Sequence, residues 1–331
     1  MKNKPLLIVL GEPNSIFSEL LFKVYKKKII QNYNKPILLI GSEKLLKSQM
    51  KLLNYSLKII KHKSNNIKNI KINNNFINII DLNNNYNKVF DKITKSSKLY
   101  INNCFKVALN LLKKNLASSL VNGPISKEHF LEKKYLGVTE YLAKKTNIKK
   151  KPTMLIYNPS FSVCPVTTHV PIIKVSKNLT KKKIINDVQN INIFFKKYFK
   201  KKPNFAILGL NPHCESIEKK NEEESIIKPA IKLLIKKKIK AKGPFSADTF
   251  FLKKNLSYFD VAVGMYHDQV LTPMKTIYGF DAINLSLGLP FLRASPDHGT
   301  NNSMIGKNIS SSKSLVSLIN FFKKLNENKK S

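Results

Sequence analysis

Arginine is nearly absent from this chain of 331 residues, although its formal net charge is +39. Phosphate and base recognition favour the bidentate fork of a guanidinium, so a basic balance built on lysine alone argues against nucleic-acid binding as the main function. The lysine excess has a blander origin. It travels with asparagine and isoleucine along the whole chain, as in NNIKNIKINNNFINIIDLNNNYNK over 65–88, the mark of AT-rich codon usage rather than of a selected patch. An anionic substrate still gains from the resulting field. Cysteine is scarce too: Cys104, Cys164 and Cys214 stand far apart with no CxxC pair. That excludes a disulfide framework and a cysteine zinc site and fits a reducing compartment. No apolar run approaches the roughly 18 residues of a transmembrane helix. The opening MKNKPLLIVLGEP has an apolar run of only about six residues, against the roughly 7 to 15 that a signal peptide needs. The expectation is a cytoplasmic protein with no membrane partner.

What is present points to an α/β enzyme. Hydrophobic residues make up 42% of the chain, ample for a core, and short apolar runs alternate with longer amphipathic ones. Strands are predicted at 5–10, 36–40, 117–123, 153–157, 204–210 and 260–266, most ending in Gly, Asn, Pro or His. Helices are predicted at 18–30, 95–114, 181–199, 224–237 and 313–327, apolar on one face and lysine-rich on the other. Ile alternates in the Asn-rich stretch 62–88 while its Asn residues favour turns, which predicts a surface hairpin or loop. The Lys-rich stretch 147–152 reads equally as a crossing between lobes or a solvated loop.

The densest chemistry lies at 265–300, MYHDQVLTPMKTIYGFDAINLSLGLPFLRASPDHGT, where His, Asp, Lys, Asn and Arg sit between short apolar runs. Apolar strands that end in convergent polar side chains are how an α/β enzyme builds its site. Four of the six histidines follow strands: His169 in VTTHVP, His213 in LGLNPHCE, His267 in MYHDQ and His298 in PDHGT. His62 and His129 read as surface residues. Three imidazoles with open positions are a usual catalytic zinc set, but His169, His213 and His267 form no local motif, so only the fold can bring them together. The alternative for each is a hydrogen-bonded structural histidine.

GPISKEHF over 123–130 offers Ser126 and Lys127 either to an anion or to a capped turn. Asp248 in GPFSADTFF either orients a ligand or caps a helix. Lys275, Asn284 and Arg293 form an ammonium, amide and guanidinium set that suits a phosphate or carboxylate. An arginine kept against so strong a lysine bias is no casual surface charge.

The ordered series of motifs resembles the 4-hydroxythreonine-4-phosphate dehydrogenase family, NAD-dependent enzymes of pyridoxal phosphate biosynthesis. GEPNSIFSEL, LVNGPISKEHF, GVTEYLA, VTTHVP, LGLNPHCE, GPFSADTFF, MYHDQ, FDAINLSLGLPFLRASPDHGT and IGKN follow in family order over nearly the whole length. The resemblance implies an isocitrate/isopropylmalate-dehydrogenase-like fold of two α/β/α subdomains, 1–125 with 275–331 and 126–274. It implies a homodimer with its site between subdomains and across the subunit interface. It also implies NAD or NADP, and a divalent metal (Zn, Mg or Co) held by His169, His213 and His267. Thr139, Lys275, Asn284 and Arg293 are then expected to hold the phosphorylated substrate. Asp297, His298, Gly299, Thr300, Gly306 and Lys307 are expected to receive the dinucleotide. Asp248, Asp268 and Lys275 are candidates for catalytic or orienting roles.

Departures from the family pattern matter to substrate choice. Val138 stands where the family places a histidine before Thr139, Ser15 and Phe17 replace two glycines of the opening motif, and SIEKKNEEE replaces a glycine-rich stretch after NPHCE. The implied activity is oxidation of 4-phosphooxy-L-threonine followed by decarboxylation to 3-amino-2-oxopropyl phosphate. The alternatives are a dehydrogenase of a related phosphorylated four-carbon acid such as phospho-threonate, or a non-catalytic homologue.

Overall fold

The computed structural model describes residues 4–132, 134–215, 221–279 and 281–328, so the first five residues of SIEKKNEEE lie outside the described residues. In chain order these form β1 (Leu6–Val9), α1 (Phe17–Lys26), β2 (Ile37–Gly41), α2 (Glu43–Leu52), β3 (Ile59–His62), β4 (Ile77–Asp81), α3 (Ser97–Lys113), β5 (Ser119–Asn122) and α4 (Val138–Lys145). There follow β6 (Thr153–Tyr157), β7 (Ser162–Thr167), α5 (Val175–Asn178), α6 (Lys181–Phe199), β8 (Phe205–Leu208), α7 (Lys228–Lys236) and β9 (Ala241–Phe245). The series continues through α8 (Ala247–Phe250), α9 (Lys253–Tyr258), β10 (Val261–Tyr266), α10 (His267–Tyr278), β11 (Ile283–Leu287), β12 (Leu292–Pro296) and α11 (Lys313–Glu327). Two compact units result, 1–148 with 289–330 and 149–288. No described helix is long and apolar enough to cross a membrane.

In the first unit the strands run β3-β4-β2-β1-β5-β12, every neighbouring pair parallel. Parallel strands covered on both faces need unbroken apolar runs, and LLIV in β1 and ILLIG in β2 are buried at every position. A cluster built on Leu7, Leu38, Ile101, Phe105 and Leu120 fills one face, where the rings of Phe105, Phe130 and Tyr141 meet at 5.2 to 6.1 Å.

The Asn-rich stretch corrects the expectation of a hairpin or loop. Its second half is β4, an interior parallel strand between β2 and β3. Ile77, Ile79 and Ile80 are buried there, and asparagine side chains take over backbone pairing. The Asn74 amide donates to the carbonyls of Tyr33 and Lys35 while its oxygen accepts from Ile37 N. The Asn78 amide donates to the Asn73 and Phe76 carbonyls, and its oxygen lies 2.9 Å from His62 Nε2. His62 therefore ends a strand, half-buried, rather than standing in a surface loop.

The second unit orders its strands β11-β6-β7-β10-β8-β9. β6 runs antiparallel to both neighbours, while β7, β10, β8 and β9 are parallel to one another. All four of these strands therefore end at the same edge of their sheet. Val163, Ala206, Leu208 and Ala262 bury one face with Phe161, Phe250 and Phe259.

Candidate functional site

The shared carboxyl edge of β7, β10, β8 and β9 carries His169, His267, His213 and Asp248 in that order. His169 stands two residues past β7, His267 opens α10 directly after β10, His213 lies in the turn after β8, and Asp248 lies in α8 after β9. Strand order alone gathers four residues that are up to 98 apart in sequence, at the edge where open α/β sheets place their ligands. The rings of His169 and His267 approach to 5.7 Å between centroids. His213 is not brought to that pair: its Nδ1 lies 3.9 Å from Asp248 Oδ2 and its side chain is 75% exposed. Among the described residues no three His, Cys, Asp or Glu side chains are grouped closely enough to hold a metal ion.

Each carboxylate stands beside an imidazole. Asp268 Oδ1 lies 2.7 Å from His267 Nδ1, the carboxylate-histidine arrangement that orients an imidazole so that its other nitrogen can meet a ligand. Asp248 accepts from the Ser246 hydroxyl and from Thr249 N, and these bonds, helped by nearby His213, hold its carboxyl below the ordinary range. Both aspartates also line an open groove of about 720 Å³ with Tyr266, Gln269, Thr272 and Ile277.

Two positioning residues escaped the sequence reading. Gln269 accepts from Met265 N and donates to the Gly209 carbonyl, each at 2.7 Å, so it ties the root of the His267 helix to the end of β8. Glu223, fully buried in a π-helical turn at Glu223–Ile227, accepts from Leu210 N, Asn211 N and the Asn211 amide at 2.7 to 2.9 Å. It thereby anchors the turn in which His213 and Cys214 take φ of 54° and 60°. Consecutive left-handed non-glycine residues cost about 1 to 3 kcal/mol each and persist only where surrounding contacts impose them. Burial and nearby Glu223 push the Cys214 thiol up, and burial does the same to Cys164 and Cys104.

The other expected substrate residues divide between the units. Asn284, in β11, has a buried side-chain oxygen with no hydrogen-bond partner, and such an atom is costly unless a ligand satisfies it. Lys275 lies on α10, half-buried. In the first unit, Arg293 is the chain's single arginine. It lies on β12, 3% exposed, and its Nε donates to Asn122 Oδ1 on β5 at 2.8 Å. Burial pushes its pKa down to about 10, opposed by Glu140 on α4, so it stays charged at neutral pH. Thr139 is the second residue of α4. Val138 opens that helix and packs against the apolar cluster of its unit. The segment GPISKEHF forms a turn, not a helix start, with Ser126 Oγ accepting from His129 N.

The expected dinucleotide residues occupy an irregular stretch at 297–300 and a turn at 305–306 with the bend after it, both in the first unit. Ile16 N donates to the Thr300 carbonyl, Thr300 Oγ1 to Asn302 Oδ1, and His298 Nδ1 lies 2.9 Å from the Gly299 carbonyl. Gly306 has a φ of +73°, and a Cβ there would come within 3.2 Å of the Phe90 ring.

Comparison with known proteins places the whole chain in a family. The profile of the family described as "Pyridoxal phosphate biosynthetic protein PdxA" matches residues 32–321. The 4-hydroxythreonine-4-phosphate dehydrogenase of Sulfurihydrogenibium sp. (strain YO3AOP1) is 38% identical over 95% of this chain and 96% of its own. A protein of Oceanobacillus iheyensis, provisionally named a D-threonate 4-phosphate dehydrogenase, is 29% identical over 96% of each chain. The crystal structure of a 4-hydroxythreonine-4-phosphate dehydrogenase from Burkholderia phymatum superposes with a TM-score of 0.79 at 26% identity, covering 98% of both chains. Isocitrate dehydrogenase from Methylococcus capsulatus shares the fold alone, at a TM-score of 0.51 and 7% identity over 97% of this chain and 84% of its own. The α/β architecture expected from the sequence, of isocitrate-dehydrogenase type, is the one found.

Proposed function

This chain belongs to the PdxA family of pyridoxal phosphate biosynthetic proteins, and from that premise we propose that it oxidises 4-phosphooxy-L-threonine with NAD and a divalent metal. The secondary alcohol gives up its hydride to the dinucleotide and its proton to a base. The resulting β-keto acid loses carbon dioxide and takes up a proton, giving 3-amino-2-oxopropyl phosphate. The observation that carries this proposal is the set of His169, His267, His213 and Asp248 on the ends of four adjacent parallel strands.

Imidazoles backed by carboxylates suit zinc or cobalt, and magnesium, which prefers oxygen ligands, is the weakest fit of the three candidate ions. We assign His169, His267 and His213 as the metal's ligands, the third supplied by a second copy of the chain, because His213 stands exposed and no three such side chains group to hold a metal within the described residues of one chain. When bound there, the metal supplies positive charge that acidifies the substrate hydroxyl and draws charge onto the new carbonyl during decarboxylation. Asp268 holds the His267 ring in one orientation, and Asp248 stands ionised beside His213. Thr139, Lys275, Asn284 and Arg293 hold the substrate, Arg293 and Lys275 by charge-assisted bonds to its phosphate. Asp297 to Thr300, with Gly306 and Lys307, receive the dinucleotide.

The direct test follows NADH formation with 4-phosphooxy-L-threonine, with NADP in parallel, before and after a chelator. Turnover is expected, lost on chelation and restored by zinc, cobalt or magnesium. A protein inert on this substrate under every metal and with both dinucleotides overturns the proposal. Arg293→Lys keeps the charge but not the planar fork or the bond to Asn122, so the Michaelis constant for the phosphorylated substrate is expected to rise about tenfold or more. An unchanged constant assigns Arg293 to structure alone.

A second substrate, a phosphorylated threonate, is favoured by Val138 and by the relative from Oceanobacillus iheyensis. Val138→His puts a donor at the first turn of α4, and a site that has merely lost its family histidine is expected to bind 4-phosphooxy-L-threonine tighter by about 0.5 to 3 kcal/mol. Weaker or equal binding, together with faster turnover of the threonate phosphate by the parent, assigns the pocket to the second substrate.

A further inference from the structure

Away from the histidines, the first unit holds a half-buried ion pair, a buried carboxylate with a partly exposed lysine, whose other described hydrogen bonds all go to one remote segment. Glu19 on α1 is 0% exposed, and Lys23 one turn later lies 2.7 Å from its Oε1. The same carboxyl accepts from Ser310 N at 2.6 Å and from the Ser310 hydroxyl at 3.2 Å. Lys23 Nζ donates to the carbonyls of Asn308 at 3.0 Å and Ser310 at 2.7 Å. An ion pair on a buried carboxylate is weak evidence of stability, since apolar residues of like volume often serve as well, whereas fixing a register is its best-attested use. The register fixed here is that of 308–310, directly after Gly306 and Lys307. Tyr55 adds a bond from its hydroxyl to Asn308 Oδ1 at 3.0 Å. At the other end of the segment, Ile16 at the start of α1 holds the Thr300 carbonyl.

We propose that the Glu19–Lys23 pair positions the dinucleotide-receiving segment, setting dinucleotide affinity without touching the reactants. This rests on the assignment of Asp297 to Thr300, Gly306 and Lys307 to the dinucleotide. The pair is the fixed strut: α1 is packed into the core through Phe17, Leu20, Leu21 and Val24, so a loop hung from it inherits its rigidity. A preorganised loop binds tighter because less ordering is left for the moment of binding.

The test measures NAD and NADP binding by calorimetry, and both Michaelis constants, in the wild type, Lys23→Met, Lys23→Arg and Ser310→Ala. Lys23→Met is expected to raise the dissociation and Michaelis constants for the dinucleotide about tenfold. Turnover at saturation and the Michaelis constant for 4-phosphooxy-L-threonine should hold within about twofold. Lys23→Arg is expected to restore part of the affinity. If Lys23→Met does not fold, Ser310→Ala, which removes one hydroxyl bond, carries the same test with a smaller rise. A wild type that binds neither dinucleotide overturns both the site assignment and the inference. A wild type that binds, beside variants that bind equally or lose both affinities and turnover together, overturns the inference alone.

Discussion

Mixing His213→Ala subunits with His267→Ala subunits is expected to regain about a quarter of wild-type turnover, although each variant alone loses about a hundredfold or more. The arithmetic follows from two-fold symmetry. If His213 of one copy serves the His169 and His267 pair of the other, a mixed dimer concentrates both lesions in one site and leaves its second site intact. Random mixing makes half the dimers mixed, and each keeps one site in two. The physical ground lies within one chain: His169 and His267 meet at 5.7 Å between ring centroids, His213 stands beside Asp248 on an exposed turn, and among the described residues no three such side chains group closely enough to hold a metal. A mixture as inactive as its parents places all three ligands in one subunit, and its metal content, read by competition with a chromogenic chelator, then distinguishes a closed local site from none.

Replacing Asp187 by Asn is expected to leave stability nearly unchanged at pH 4 and to raise it by about 4 kcal/mol at pH 8. Asp187 sits buried on α6, its Oδ1 2.5 Å from the Thr153 hydroxyl, which also accepts from the Asn190 amide. Burial raises its pKa to about 7, against the opposing hydrogen bond from Thr153. The folded protein therefore holds a proton that the unfolded chain releases near pH 4. The stability tied to that proton is fully present below the unfolded value and drains away as pH rises through 7. An asparagine amide in its place would keep the Thr153 bond without the charge. Glu12, also raised to about 7 by burial despite its bond from Ser97, acts in the same direction in the first unit. Urea melts of parent and Asp187→Asn across this range give the difference directly. A gap that is constant with pH removes Asp187 from the pH response.

Local pattern made much of the fold legible. The runs LLIV, ILLIG, TMLIY, FAIL and VAVGMY are buried almost throughout, and hydrophobicity announces such strands without help from distant residues. β4 was hidden because asparagine, a turn former in isolation, here satisfies backbone groups of its neighbours, a service visible only when Tyr33, Lys35 and Phe76 are in place. β9, AKGPF, is hidden for a related reason: it is an edge strand with exposed Lys242 and Gly243, so it lacks the apolar signature. At the site, His169, His267 and Asp268 could be read from their place after strands. The grip of Glu223 on the His213 turn and the bridge made by Gln269 could not. Each depends on hydrogen bonds to backbone atoms of another segment, and backbone atoms leave no mark in sequence.

The lone guanidinium on β12 has a practical consequence. Feeding the producing cells arginine labelled with nitrogen-15 at Nε alone places isotope on one side-chain atom of the 331 residues. The Nε–H of Arg293, held by Asn122 and shielded from solvent exchange, then gives a single resonance in a spectrum otherwise silent. On the proposed assignment of Arg293 to the substrate phosphate, its chemical shift is expected to report phosphate arrival and release from inside the protein, with no assignment to solve.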